Sequence, residues 1–140
     1  MQKTTQELLD ILQSSNSIQS YFKEDSDNLV QERLCDYLQH LLQEKALSTS
    51  DIIQRSGLPR TYTYEILRGS KKPSRDKVLT ICLALSLTLE ETQTLLKHTG
   101  YPPLYPRLER DCVLIFSLQH ALSVTDTNEL LYELGYEILT

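Results

Sequence analysis

LSTSDIIQRSGLPRTYTYEILRGSKKPSRDKVLTICLAL, residues 47–85, contains two helix stops and three helix starts in a short span. Ser48 and Asp51 stand at capping-box spacing and open a helix that runs to about Ser56, where Gly57 supplies the residue best suited to a tight helix-ending turn. Pro59 belongs just before or at the start of the next helix, Arg60 to Arg68, which stops at Gly69. Residues 70–73 form a basic loop. Ser74 opens a more apolar helix carrying Val78, Leu79, Ile81, Cys82, Leu83 and Leu85, whose breadth marks a central, heavily buried element. Helix, short turn containing Gly, helix is the arrangement in which one helix braces another.

Working outward, residues 29–45 carry Val30, Leu34, Tyr37, Leu38, Leu41 and Leu42 at the three-and-four spacing of a helix with one buried face. Thr88 and Glu91 cap a helix running to His98 and ending at Gly100. Pro102, Pro103 and Pro106 deny helix to the following stretch, since each lacks a backbone donor. Residues 108–122 and 126–138 read as a final helical pair, the first carrying Val113, Leu114, Phe116 and Leu118, and their tight connection predicts an antiparallel hairpin. At the other end, Thr4 and Glu7 cap a short helix over 5–14 with Leu8, Leu9, Ile11 and Leu12 as its stripe. Residues 14–28 are polar apart from Ile18, Tyr21 and Phe22, which read as anchors of an arm. The expected organisation is a helix and arm at 1–28, a helix-turn-helix domain at 29–100 and a helical extension at 101–140.

With 140 residues and 40% hydrophobic content, the chain can bury one core but not two large ones. Four glycines and long stretches rich in Leu, Glu, Gln and Lys favour an all-α protein. The formal net charge of −5 at first argues against a polyanionic partner, but its distribution reverses that impression. Between Lys45 and Lys77 lie eight basic residues (Lys45, Arg55, Arg60, Arg68, Lys71, Lys72, Arg75, Lys77) against Asp51, Glu65 and Asp76. That local excess of five positive charges leaves −10 on the remainder, the pattern of a basic functional face on an acidic body.

Cys35, Cys82 and Cys112 are odd in number, far apart and set in apolar helical patterns, so reduced, buried thiols are expected rather than disulfides or a zinc site. His40, His98 and His120 are equally scattered and read as surface or boundary residues. No metal, cofactor or catalytic set is expected: there is no glycine-rich phosphate loop and no Ser/His/Asp or Cys/His set at suggestive spacing. The N-terminus lacks the basic head and apolar run of a signal peptide, and no stretch is apolar enough to span a membrane, so a cytoplasmic protein is expected.

The 47–85 stretch resembles the phage-repressor-like (Cro/CI or XRE type) helix-turn-helix family. Leu47, Ile52, Gly57, Leu58, Ile66, Gly69, Pro73 and the apolar run after Ser74 stand in the family's order and spacing, and with the preceding helix the resemblance covers about residues 29–98. TGYPPL, residues 99–104, also looks like a segment that follows such domains in many bacterial regulators. Three positions depart from the pattern: Ile53 replaces a small Ala, Thr63 an Ile, and Leu67 a Glu that often makes an ion pair.

The resemblance implies a lambda-repressor-like helix-turn-helix bundle, with the N-terminal arm and C-terminal hairpin appended. It also implies a sequence-specific transcriptional regulator binding double-stranded DNA, with 60–68 as the helix in the major groove. Its base-reading positions map onto Arg60, Thr61 and Tyr64 or Glu65, with Tyr62 nearby. Arg60 suits guanine O6 and N7, Glu65 suits cytosine N4, and a tyrosine suits thymine methyls or phosphates. Either Tyr62 or Tyr64 has a second reading, as a core ring filling in for the missing Ile at Thr63. Thr49 and Ser50 at the start of the bracing helix, together with Lys71, Lys72 and Arg75, map to phosphate contacts. Arg68 reads either that way or as a complement to the helix dipole. A homodimer through 106–140 or through the arm would present two such helices. Val113, Leu114 and Phe116 form a face that suits either dimerisation or packing within the monomer. The competing reading is a protein-interaction module or antitoxin-like partner that retains the fold.

Overall fold

Thr4 accepts the Glu7 N–H at its hydroxyl (3.1 Å) and opens α1, Thr5–Ser14. None of the residues of α1 is buried. The structure, a computed structural model, describes residues 3–14, 17, 18, 21 and 32–140, and divides into two units, Met1–Gln31 and Glu32–Thr140. Of the three expected arm anchors, Tyr21 is buried, Ile18 is exposed and Phe22 lies outside the described residues.

The second unit carries seven helices: α2 Leu34–Lys45, α3 Thr49–Ser56, α4 Arg60–Arg68, α5 Arg75–Ala84, α6 Leu89–His98, α7 Glu109–Gln119 and α8 Val124–Glu133. The described residues contain no strand. The caps fall where local chemistry places them. Ser48 and Asp51 exchange both capping-box bonds at α3, as Thr88 and Glu91 do at α6. Gly57 and Gly69, at φ +73° and +81°, end α3 and α4 in the left-handed region.

Several boundaries differ from expectation: the helix expected over 108–122 stops at Gln119, with Ala121 at φ +51°, and the next begins at Val124 rather than Asp126. The helix expected over 29–45 begins at Leu34: Arg33 is extended, and the Glu32 N–H reaches the His98 carbonyl at the end of α6 (3.3 Å) instead of a helical partner. Residues 29–31 lie outside the described residues. The last helix stops at Glu133 rather than Ile138, because Gly135 turns at φ +84°. The non-helical tail folds back, with Leu139 N–H on Asn128 Oδ1 (2.9 Å) and Arg110 Nε on the Glu137 carbonyl (3.0 Å).

One apolar cluster joins all seven helices of this unit and the tail, from Leu38 and Ile52 through Ile66, Val78 and Leu95 to Leu114, Leu131 and Leu139. Residues Val78 to Ala84 of α5 are buried without a break, so α5 is the central element its apolar breadth indicated. It packs against α3 and α8, while α2 packs against α4 and α6 against α7. Val113 and Leu114 are buried in this cluster, within the monomer, and Phe116 is left outside at 47% exposure.

Gly69 carries two constraints at once. Its φ is one that L side chains adopt at a cost of about 1–2 kcal/mol, and a Cβ there would overlap the Arg33 guanidinium and come within 2.9 Å of Cys35 Sγ. Gly69→Ala is therefore expected to destabilise by at least about 1–2 kcal/mol. Thermal melting checks this, and an unchanged midpoint would contradict it.

Candidate nucleic-acid interface

The inward face of α4 is Thr63, Ile66 and Leu67, exposed by 0%, 1% and 6%. Thr63 fills the position where a larger aliphatic residue was expected, and its hydroxyl donates to the Pro59 carbonyl one turn back (2.9 Å), so no polar group is stranded. The Leu67 carbonyl accepts from the Gln39 amide of α2, tying the end of α4 to its neighbour.

This arrangement separates the two tyrosines. Tyr62 is half-buried against the core, with the Lys77 ammonium 5.6 Å from its ring centre. Tyr64 points outward, with the Arg60 guanidinium 5.5 Å from its ring centre. Arg60, Thr61, Tyr64 and Arg68 are all exposed and lie at i, i+1, i+4 and i+8, one solvent-facing stripe without an acidic member. The Arg60–Tyr64 contact holds the guanidinium over a ring rather than leaving it to rotate freely. Glu65 flanks the stripe half-buried, its Oε2 4.0 Å from Lys71 Nζ.

Past Gly69 the chain stays close to the helix end. The Ser70 and Lys71 N–H groups and the Ser70 hydroxyl all donate to the Glu65 carbonyl. Lys71 and Lys72 are exposed, and Lys72 Nζ stands 5.6 Å from the centre of the Tyr101 ring. At the start of α3, Thr49 is half-buried and Ser50 exposed. Next to them, the N–H of Ser48 holds the Asp51 carboxyl below its ordinary pKa, so an anion approaching this helix end meets a fixed negative charge beside the helix amides.

Arg75 corrects an expectation. Its Nη1 and Nη2 pair with both carboxylate oxygens of Asp111 (3.1 and 2.9 Å), while Nε and Nη2 also reach the Pro102 and Pro103 carbonyls, each at 2.9 Å. Four of its five N–H donors thus face protein, and it belongs to the fold rather than to the cationic surface. Asp76 and Arg110 form the mirrored pair at 2.9 and 3.0 Å. Lys45 is likewise paired, to Glu91 at 3.1 Å. Of the eight basic residues in the island, Arg55, Arg60, Arg68, Lys71 and Lys72 keep exposed side chains.

Cys35 and Cys82 are buried as expected, and burial pushes the Cys82 thiol up to about 12. Cys112 is exposed instead, because α7 turns it away from Val113 and Leu114. No group of three or more His, Cys, Asp and Glu side chains among the described residues is placed to hold a metal, and no helix among them is long and apolar enough to cross a membrane. Tyr101 and Asp111, which buttress the 70–75 segment, were not marked by sequence. The trace they leave there is an aromatic in a proline-rich break and an acid in the first turn of α7.

No curated protein and no solved structure matches the chain. Residues 37–95 match the family model of the Cro/C1-type helix-turn-helix DNA-binding domain, a span that starts in α2, ends in α6 and encloses α4 and the basic loop. The segment built on α2 to α6 is thus similar to the Cro/C1-type helix-turn-helix DNA-binding domain.

Proposed function

We propose that this protein is a sequence-specific transcriptional regulator of a bacterial cytoplasm that lays α4 in the major groove of double-stranded DNA. The observation that carries the proposal is the acid-free stripe Arg60, Thr61, Tyr64 and Arg68, continued by exposed Lys71 and Lys72. Arg60 is the guanine reader, Thr61 and the outward ring of Tyr64 contact neighbouring base edges or thymine methyls, and Glu65 and the inner Tyr62 lie at the margin of the readout. Lys71, Lys72 and Arg68 neutralise phosphates, with Thr49 and Ser50 adding hydroxyls and amides from α3. In this reading 1–28 is an arm, 29–100 the binding domain and 101–140 its helical support. Two copies, joined through the arm or the outer surface of 106–140, would place their α4 helices on half-sites about one helical turn apart.

Selection of bound sequences from a random duplex library tests this reading directly. A recovered motif with two half-sites supports it, and no enrichment even at low salt would reject it. On the selected duplex, Arg60→Ala is expected to weaken binding by about 1–3 kcal/mol and to relax preference at one base pair. Lys72→Ala should weaken all duplexes alike and reduce the salt slope by about one. Equal losses on selected and random DNA for Arg60→Ala would remove its assigned role.

A further inference from the structure

The 70–74 loop carries the exposed Lys71 and Lys72 that follow α4, and its last turn is held from outside the helix-turn-helix. Pro73 is buried, and its carbonyl accepts the Tyr101 hydroxyl at 2.6 Å. Tyr101 is itself only 8% exposed, and its N–H is tied to the Leu96 carbonyl (2.8 Å). The same ring lies under the Lys72 ammonium. Immediately beyond, the Pro102 and Pro103 carbonyls hold Arg75, whose partner Asp111 also accepts the Tyr105 N–H (2.8 Å). The Tyr101 hydroxyl therefore fixes the loop backbone while its ring limits where the lysine reaches.

We propose that Tyr101 is a positioning residue for DNA binding, which pre-orders the 70–74 loop and sets Lys72 against the phosphate backbone. The proposal rests on the reading that Lys72 contacts phosphate. A lysine held near its bound position loses less freedom on association than one on an unconstrained loop. The hydroxyl matters because it fixes Pro73, next to Lys72, by a bond closed to water, and the ring matters because it attracts the ammonium.

The test is a double-mutant cycle of Tyr101→Phe and Lys72→Ala, read as affinity and salt slope on a mixed-sequence fluorescent duplex. Tyr101→Phe keeps the buried ring, and titration at stoichiometric DNA counts the folded fraction, so loss of fold and loss of affinity read separately. Tyr101→Phe is expected to weaken binding about three- to tenfold, the scale of one intramolecular hydrogen bond. The double variant should bind no worse than Lys72→Ala alone, because both changes disable the same contact. Wild-type affinity for Tyr101→Phe, or losses that simply multiply, would overturn the proposal while leaving the lysine's role intact. Lys72→Ala with unchanged affinity and slope would instead overturn the phosphate reading, and Tyr101's role with it. A Tyr101→Phe chain with no folded fraction would make the residue structural and end the proposal as well.

Discussion

Asp111→Ala is expected to lower the unfolding free energy by about 3 kcal/mol, the scale on which one partner of a desolvated ion pair is missed. The Asp111 side chain is 4% exposed and accepts three bonds, two from Arg75 and one from the Tyr105 N–H. Its removal strands the charge of an Arg75 side chain that is only 23% exposed and leaves a backbone donor without an acceptor. The estimate sits at the low end because Arg75 keeps the Pro102 and Pro103 carbonyls and some water. Asp111→Asn, which retains an acceptor but not the charge, should fall between wild type and Ala. Denaturant midpoints at constant slope give the numbers. A loss well under 1 kcal/mol would place the pair with ordinary surface salt bridges.

The same pair sets an acid limb. Burial raises the Asp111 pKa, but the bonds from Arg75 and the Tyr105 N–H outweigh it, and the folded value lies below the ordinary 3.8. A depressed folded pKa stabilises the native state fully above the unfolded value. That contribution disappears as pH falls through the lower folded value. Asp111→Ala should therefore flatten the stability profile below about pH 4 as well as lower its plateau.

The helices from Thr49 to His98 were legible because their ends are set by residues adjacent in sequence. Ser48 with Asp51, Gly57, Pro59, Gly69, Ser74 and Thr88 with Glu91 each act within one turn, and every one of those boundaries is found in the structure. Arg75 was misread because its partner lies 36 residues away: spacing reports that a cation is present, not what neutralises it. The tyrosines were unresolved for a related reason. Two aromatics two positions apart on a polar helix look alike until Thr63 takes the buried position and satisfies its own hydroxyl. At the C-terminus, Leu134 and Ile138 prolong a helical apolar pattern, and only the turn at Gly135 overrules it. The pairing of Tyr101 with Pro73 had no local sign at all.

Leu131→Ala is expected to destabilise by about 2–5 kcal/mol, the cost of a cavity at a fully buried leucine, and the loss should reach α4. Leu131 is 0% exposed and shares one apolar cluster with Ile66 of α4, Leu79 of α5 and Leu114 of α7. Two ion pairs and the Tyr101 hydroxyl bind the C-terminal hairpin and its linker to the segment just past α4. A cavity under α8 is thus a defect in the core that supports α4, not in a module hung beside it. Native-state hydrogen exchange separates the two cases, because amides that open only by global unfolding lose protection by the same free energy wherever they lie. Mid-helix amides of α4 and α8 should fall together in Leu131→Ala. If α8 weakened while α4 kept wild-type protection, the hairpin would be an independently opening unit, and the bonds from 101–111 to the loop would be contacts between neighbours. Equal losses would mean that the C-terminal helices hold α4 in place, because the core beneath it is incomplete without them.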